Sequence, residues 1–284
     1  MLSGAAKLAG VVGWPVKHSL SPSLHGFWLT EHGIDGAYLP LAVTPEDLVR
    51  GLRTLPRLGF VGVNVTVPHK EAAIETLDVV EKRARRIGAV NTLVFEEGGR
   101  LRGDNTDAFG FLENLREQAP GWEAGQGPAV VLGAGGAARA VCAALVELGS
   151  PEIRLLNRNL ARAETVATQI GGPIVVRPWS ARHAALAEAA LVVNATSLGM
   201  VGCPLLELNL AALPRAAVVY DIVYTPMTTT LLEQAAARGH TIVDGLGMLL
   251  HQARPGFAAW FGIEPRVTPA LRAFVAQRLT GSSG

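Results

Sequence analysis

The sequence predicts an α/β protein in two parts: a doubly wound parallel sheet in the second half and a smaller α/β region before it. Three observations carry that prediction. From Ala129 onward, short and nearly unbroken apolar runs alternate with helical patterns, as strands buried on both faces of a parallel sheet require. The first of these runs, Ala129–Leu132, passes directly into Gly133-Ala134-Gly135-Gly136-Ala137-Ala138, a glycine turn opening a helix. The length, 284 residues, amounts to about two domains at roughly 150 residues each.

The totals exclude several classes. Hydrophobic residues make up 49% and charged residues 17%, enough apolar material for packed cores. A net charge of +1 provides no field for nucleic acid or an anionic membrane. Cys142 and Cys203 lack any paired Cys or His spacing, so no metal site is expected and the two thiols suit a reducing compartment. Glycine, tryptophan and proline interrupt the apolar run from Leu8, which therefore does not read as a signal peptide. The longest uncharged stretch, Ala189 to Leu206, contains Asn194, Thr196, Ser197, two glycines and Pro204, and reads as a strand and loop. The expectation is a soluble cytoplasmic protein, monomer or homodimer, acting on a small molecule with neither nucleic acid nor membrane as partner.

In the first region, Leu8–Gly13, Tyr38–Val43, Phe60–Thr66 and Val90–Phe95 are the candidate strands, rich in Val, Leu and aromatics. Ser21-Pro22 reads as an N-cap with proline at the first helical position, opening a helix to about His32 that Gly33 ends. A second helix is expected from Pro45 to about Leu55, and a third from Lys70 into the basic segment Arg83–Arg86. Gly103–Asp107 reads as a turn capping a helix from Thr106 to Gln118, and Ala119–Pro128 as a linker. Strands then follow at Ala129–Leu132, Ile153–Asn157, Pro173–Val176, Leu191–Asn194, Ala217–Asp221 and Thr241–Val243. Two more helices, Gly247–Phe261 and Thr268–Leu279, precede a disordered tail at Gly281–Gly284. The domains are expected at 107–245 for the nucleotide-binding part and at 1–106 with 246–284 for the substrate-binding part, with a cleft between.

Gly133, Gly135 and Ala138 form the G-x-G-x-x-A variant of the dinucleotide fingerprint. Gly133 permits the tight turn, Gly135 lets the backbone approach a pyrophosphate, and Ala138 lets the helix lie close to its strand. The free N–H groups of the first helical turn then favour phosphate. Ligands of such Rossmann-like sheets sit at the carboxyl ends of the strands. The second strand closes on Asn157-Arg158, where an acidic residue would bind the ribose of NAD and an arginine accommodates the 2′-phosphate of NADP. Arg162 follows one turn later, so two guanidinium groups can converge there, although both also fit ordinary solvated helix positions. No acidic residue competes, and the charge argument favours NADP.

The first region holds the other polar motifs. His18-Ser19-Leu20-Ser21-Pro22 places two hydroxyls at a helix N-terminus, serving either a carboxylate or a plain cap. In Asn64-Val65-Thr66-Val67-Pro68-His69-Lys70, alternation points Asn64 and Thr66 to one side, with Lys70 just beyond; read alone, such a lysine is more often solvated. Asn91-Thr92 ends another strand, and Asp107 opens the helix into the second domain.

Taken together and in order, these stretches resemble the shikimate dehydrogenase family. The resemblance rests on His18–Pro22, Asn64–Lys70, Gly88-Ala89-Val90-Asn91-Thr92, Asp104–Asp107, Gly133–Ala138, Asn157-Arg158, Asn194–Met200, Asp221-Ile222-Val223-Tyr224 and Gly245–Gln252. It implies NADPH-dependent reduction of 3-dehydroshikimate to shikimate, a step of aromatic amino acid biosynthesis. It further implies that Ser19, Ser21 and Tyr224 bind the carboxylate, and that Thr66, Asn91, Asp107 and Gln252 hold the ring hydroxyls. Lys70 and Asp107 become the catalytic pair. Gly133, Ala134, Gly135, Gly136, Ala137, Asn157, Arg158, Arg162, Thr196, Ile222 and Gly245 become the NADP site. Two departures stand out: Asn159 replaces the usual threonine or serine after Asn-Arg, and Arg254-Pro255 is expected to interrupt the helix after Gln252. The rival readings are a quinate or aminoshikimate dehydrogenase using NAD or NADP, and a non-catalytic NADP-binding sensor on the same scaffold.

Overall fold

The computed structural model describes residues 2–281. The chain divides into two compact units, one of residues up to 106 together with those from 252 onward, the other of residues 107–251. Among the described residues no helix is long and apolar enough to cross a membrane, and no group of His, Cys, Asp and Glu could hold a metal.

In the first unit the elements run β1 (Lys7–Gly13), α1 (Ser21–Glu31), β2 (Gly36–Ala42), α2 (Leu48–Thr54), β3 (Phe60–Val65), β4 (Val79–Val80), α3 (Lys82–Ile87), β5 (Thr92–Phe95) and β6 (Leu101–Asp104). Their sheet has the order β2-β1-β3-β5-β6-β4. Strand β1 is parallel to both neighbours, whereas β5 is antiparallel to β3 and β6. Val12, Leu52, Val63, Leu93 and Leu101 fill the core beneath it. The register sets Asn64 opposite Thr92, which brings the polar ends of two strands together.

The helix expected from Lys70 to Arg86 does not form as one piece. A 3-10 turn at Ala72–Thr76 ends at Leu77 in extended conformation, and β4 and α3 follow. Asp78 accounts for the break: its carboxylate takes the Leu101 N–H at 2.8 Å and two Arg53 bonds at 2.8 and 3.0 Å. That anchors the β-branched pair Val79-Val80 on the sheet edge beside β6. Part of the expected turn at 103–107 is likewise the end of β6.

The second unit contains α4 (Asp107–Gln118), β7 (Ala129–Leu132), α5 (Gly136–Glu147), β8 (Ile153–Asn157), α6 (Leu160–Ile170), β9 (Ile174–Pro178), β10 (Leu191–Asn194), β11 (Val218–Asp221), α7 (Thr230–Ala237) and β12 (Thr241–Val243). Every pairing in its six-stranded sheet is parallel, in the order β12-β11-β10-β7-β8-β9. Counted from β7, this is the 3-2-1-4-5-6 order of a dinucleotide-binding domain, with its switch point between β7 and β10. Val130, Leu132, Leu156, Val192 and Val219 are all fully buried, which is why these strands read as continuous apolar runs.

Helix α8 (Gly245–Phe261) starts in the second unit and ends in the first, and α9 (Pro269–Gly281) follows. Contrary to expectation, Pro255 does not interrupt α8. An interior proline costs roughly 3 kcal/mol, but Phe257 and Trp260 are buried on the following turn, and Arg254 is held by Pro265 O at 3.1 Å and Glu264 at 2.8 Å. Gly62 of β3 has a specific purpose here: a Cβ would lie 2.1 Å from Trp260 Nε1 and 2.3 Å from Leu93 O. Only glycine lets the indole reach the Leu93 carbonyl, to which it donates at 2.9 Å. Gly281, expected in a tail, closes α9; residues 282–284 lie outside the described residues.

Candidate active site

Helix α1 begins one residue earlier than its sequence implies. Leu20 is the N-cap, Ser21 the first helical residue and Pro22 the second. Ser19, not Ser21, supplies the capping oxygen by accepting the Ser21 N–H at 3.3 Å. Both serines thus stand at a helix N-terminus, where a carboxylate is favoured, and the Ser21 hydroxyl faces the hydroxyl of Tyr38.

The ends of β3 and β5 carry a buried polar network. Tyr38 donates to Asn64 Oδ1 at 2.6 Å, and Asn64 Nδ2 donates to Asn91 O at 2.9 Å and Thr92 Oγ1 at 3.1 Å. Asn91 Oδ1 accepts from Thr92 Oγ1 at 3.0 Å and from the Thr106 N–H at 2.8 Å. Asn91 Nδ2 reaches Gln252 Oε1 at 3.2 Å, and the Thr106 hydroxyl donates to Gln252 O at 2.8 Å. Asn91 and Gln252, 161 residues apart in sequence, are therefore direct neighbours. Asp107 follows Thr106 as the first, buried residue of α4 and belongs to the second unit.

Thr66 and Lys70 lie on the loop leaving β3, both half-buried. Thr66 donates its N–H to Val12 O at 2.9 Å, and Lys70 O accepts the Val90 N–H at 2.8 Å. His69, fully buried between them, is held by Val43 O at 2.8 Å. The loop is thus tied to strands or their ends on both sides, which fixes the base of the Lys70 side chain.

In the second unit the glycine turn has the geometry that a pyrophosphate needs. Gly133 has φ +105°, and a Cβ there would sit 2.8 Å from Ala195 O, so both the turn and the close approach of the loop after β10 require glycine. At Gly135 a Cβ would meet nothing within 4 Å: open space lies beside the backbone that opens α5. No side chain caps that helix, so the N–H groups around Gly135, Gly136 and Ala137 remain for a phosphate. Ala134 and Ala138 are buried.

Arg158 and Arg162 are exposed at the carboxyl end of β8. Asn159 caps α6 by accepting the Arg162 N–H at 3.1 Å, and Asn157 Nδ2 donates to Asn159 O at 2.8 Å. The unusual Asn159 therefore fulfils the capping role of a threonine or serine. Its cap fixes the turn that carries both arginines, a suitable surface for a 2′-phosphate.

The loops after β10 and β11 are joined by a cluster in which Asn194, Asp221 and Thr229 had no role expected from the sequence. Buried Asp221 accepts from Thr229 Oγ1 at 2.7 Å, Asn194 Nδ2 at 2.9 Å and the Val223 N–H at 3.0 Å. Asn194 Oδ1 in turn accepts from Thr196 Oγ1 at 2.7 Å. Burial raises the Asp221 carboxyl to about 6 against the pull of these hydrogen bonds. Ile222 donates its N–H to Asn194 O at 3.0 Å. A Cβ on Gly245 would strike Ile222 O at 2.2 Å, so Gly245 brings α8 against this loop. Tyr224 is half-buried nearby in the chain, its hydroxyl pKa raised by burial. A hint of this cluster was available, since Asn194 and Asp221 both end apolar strands on the ligand side of the sheet.

A family model described as "Shikimate dehydrogenase substrate binding domain" matches residues 11–93, and one described as "Shikimate / quinate 5-dehydrogenase" matches residues 117–201. The chain is 62% identical over 274 residues to a protein of Paramagnetospirillum magneticum named Shikimate dehydrogenase (NADP(+)), covering 96% of this chain and 99% of that one. Among solved structures, a shikimate 5-dehydrogenase of Thermus thermophilus in complex with NADP(H) and shikimate is 41% identical, with a TM-score of 0.84 over 96% of this chain and 99% of the other. A quinate dehydrogenase of Corynebacterium glutamicum in complex with NAD is 32% identical, with a TM-score of 0.88 over 96% and 99%.

Proposed function

This chain belongs to the shikimate dehydrogenase family, and we propose that the residues gathered above perform the reaction of that family in it. It is an NADP-dependent oxidoreductase that interconverts 3-dehydroshikimate and shikimate. The single observation that carries the residue assignments is the Asn91–Gln252–Thr106 network beside the serine pair at the start of α1. It supports the reading because Ser19, Ser21, Asn91 and Gln252 all belong to the first unit, while Asp107 and Tyr224 belong to the second.

In this reading Ser19 and Ser21 receive the substrate carboxylate at the N-terminus of α1, with Tyr224 as a further donor. Thr66, Asn91, Asp107 and Gln252 hold the ring hydroxyls. Bound NADPH supplies the hydride that reduces the C3 carbonyl carbon. Lys70 holds a proton on Nζ and gives it to the C3 oxygen as the alcohol forms; in the reverse direction it takes that proton back. Asp107 orients the ammonium and the substrate oxygen. The open space at Gly135 and the exposed arginines fit the pyrophosphate and 2′-phosphate of NADP. Gly133–Ala137, Asn157, Arg158, Arg162, Thr196, Ile222 and Gly245 are assigned to that cofactor. We place the protein in the cytoplasm, on the two free cysteines.

The test is turnover by purified protein of shikimate and of quinate, each with NADP and with NAD, followed at the nicotinamide absorbance. Clear turnover with shikimate and NADP is expected. A preference for quinate or for NAD overturns the assignment.

A further inference from the structure

The polar network does not end at Asn64. It continues through Tyr38, a residue that neither the motifs nor the reaction assigned, and Tyr38 rests on a ring with no apparent polar purpose. His25 of α1 is fully buried, and its imidazole lies flat on the Tyr38 ring at 3.9 Å between centroids and 1° between planes. Trp28, Phe257 and Trp260 surround the pair at 5.7 to 6.0 Å between ring centres. Both His25 nitrogens are buried with no hydrogen-bond partner, and burial lowers its pKa to about 3, so it packs as a neutral aromatic plate.

The donor arithmetic fixes the direction of the chain of bonds. Asn64 must turn its NH2 toward Asn91 O and Thr92 Oγ1, because both accept from it. Its carbonyl oxygen is thereby left facing Tyr38, so Tyr38 donates there and has lone pairs left to accept from Ser21. One phenol oxygen thus sits between the serine assigned to the carboxylate and the asparagine that orients Asn91.

We propose that Tyr38, held in plane by His25, is a positioning residue for substrate binding: it sets Ser21 and Asn64 and, through Asn64, the Asn91–Gln252 pair. The inference rests on the shikimate dehydrogenase reading and extends it to a residue behind the binding groups. Tyr38 touches neither substrate nor cofactor in this assignment. Its removal therefore weakens substrate binding without slowing proton or hydride transfer.

The experiment is Tyr38→Phe, which keeps the stacked ring and removes only the hydroxyl, compared with wild type, Ser21→Ala and the double variant. The expected result is a KM for shikimate raised about tenfold, the equivalent of one buried hydrogen bond. The kcat should stay within about twofold, and the KM for NADP should not change. Because Tyr38 acts partly through Ser21, the double variant should raise KM by clearly less than the product of the single factors. A merely structural role would shift kcat or both KM values together, and would overturn the proposal; so would an unchanged KM or strict multiplication of the single effects. A wild type that does not turn over shikimate overturns the functional reading itself, a result distinguishable from failure of Tyr38 alone.

Discussion

Replacing Asp221 with asparagine should stabilise the protein at neutral pH and lose most of that advantage in acid. Burial moves the Asp221 carboxyl from 3.8 to about 6. A carboxyl raised in this way adds stability that is present in full below 3.8 and is lost as pH rises through about 6. Relative to acid, the raised pKa therefore costs the native state about 3 kcal/mol at pH 7.5 and about 1.6 kcal/mol at pH 5, where the loss comes from ionisation in the unfolded chain. Asparagine keeps an oxygen for Asn194 and Val223 but turns an NH2 toward the Thr229 hydroxyl, losing about 1 kcal/mol of hydrogen bonding. Asp221→Asn should thus gain about 2 kcal/mol over wild type at pH 7.5 and be nearly neutral at pH 5. Urea denaturation of both proteins at the two pH values measures this directly. The comparison between variants is essential, because His25 acts in the opposite sense. With its pKa lowered to about 3, His25 contributes stability present above 6.5 and lost as pH falls, about 2 kcal/mol by pH 5. That contribution cancels in the difference. A stability gap that stays the same at both pH values would refute a titrating Asp221.

Three further outcomes are expected. Lys70→Ala should lower kcat by about two to four orders of magnitude with little change in KM, because it removes proton transfer from the transition state; steady-state kinetics decide, and a retained kcat eliminates Lys70 as the relay. Arg158→Ala should raise the KM for NADP about tenfold or more and leave that for NAD nearly unchanged, since only NADP carries the 2′-phosphate; equal losses exclude the contact. Gly62→Ala should destabilise by about 3 kcal/mol or more, because its Cβ would meet Trp260 Nε1 at 2.1 Å and neither strand nor helix can yield cheaply; a melting temperature near that of wild type shows that the indole has room to move.

The second unit was the more legible in sequence, for a physical reason. Its strands are covered on both faces, so their residues are uniformly apolar and the following helices stand out. The first unit mixes parallel and antiparallel strands with short edges. Val79-Val80 pairs over two residues only, too few for any period to show, and Asp78, the residue that fixes it, acts through partners 23 and 25 positions away. At the start of α1 the motif was legible but the division of labour was not, since whether Ser19 or Ser21 caps depends on one backbone angle. The site motifs disclosed residues that meet ligands. Tyr38 and His25 lie behind them and carry no motif, and Asp221 stands in a motif stretch that assigned it no role, because their partners are set by the register of strands and by packing rather than by spacing along the chain.

The path of α8 has a consequence for how the molecule is made. The second unit is a continuous stretch, 107–251, and the first is finished only by residues from 252 onward. Phe257 and Trp260 enclose His25 and Tyr38, and Trp28 donates to the carbonyl of Arg266 at 3.1 Å, across 238 residues. A ribosome therefore releases every residue of the nucleotide-binding unit before it supplies the last walls of the chamber around His25. The part synthesised first is completed last, and until then Trp28 and Tyr38 lack the cover that α8 brings. Chains cut short before Phe257 should be recognised by chaperones and proteases through that exposed aromatic surface, even though their parallel sheet is complete.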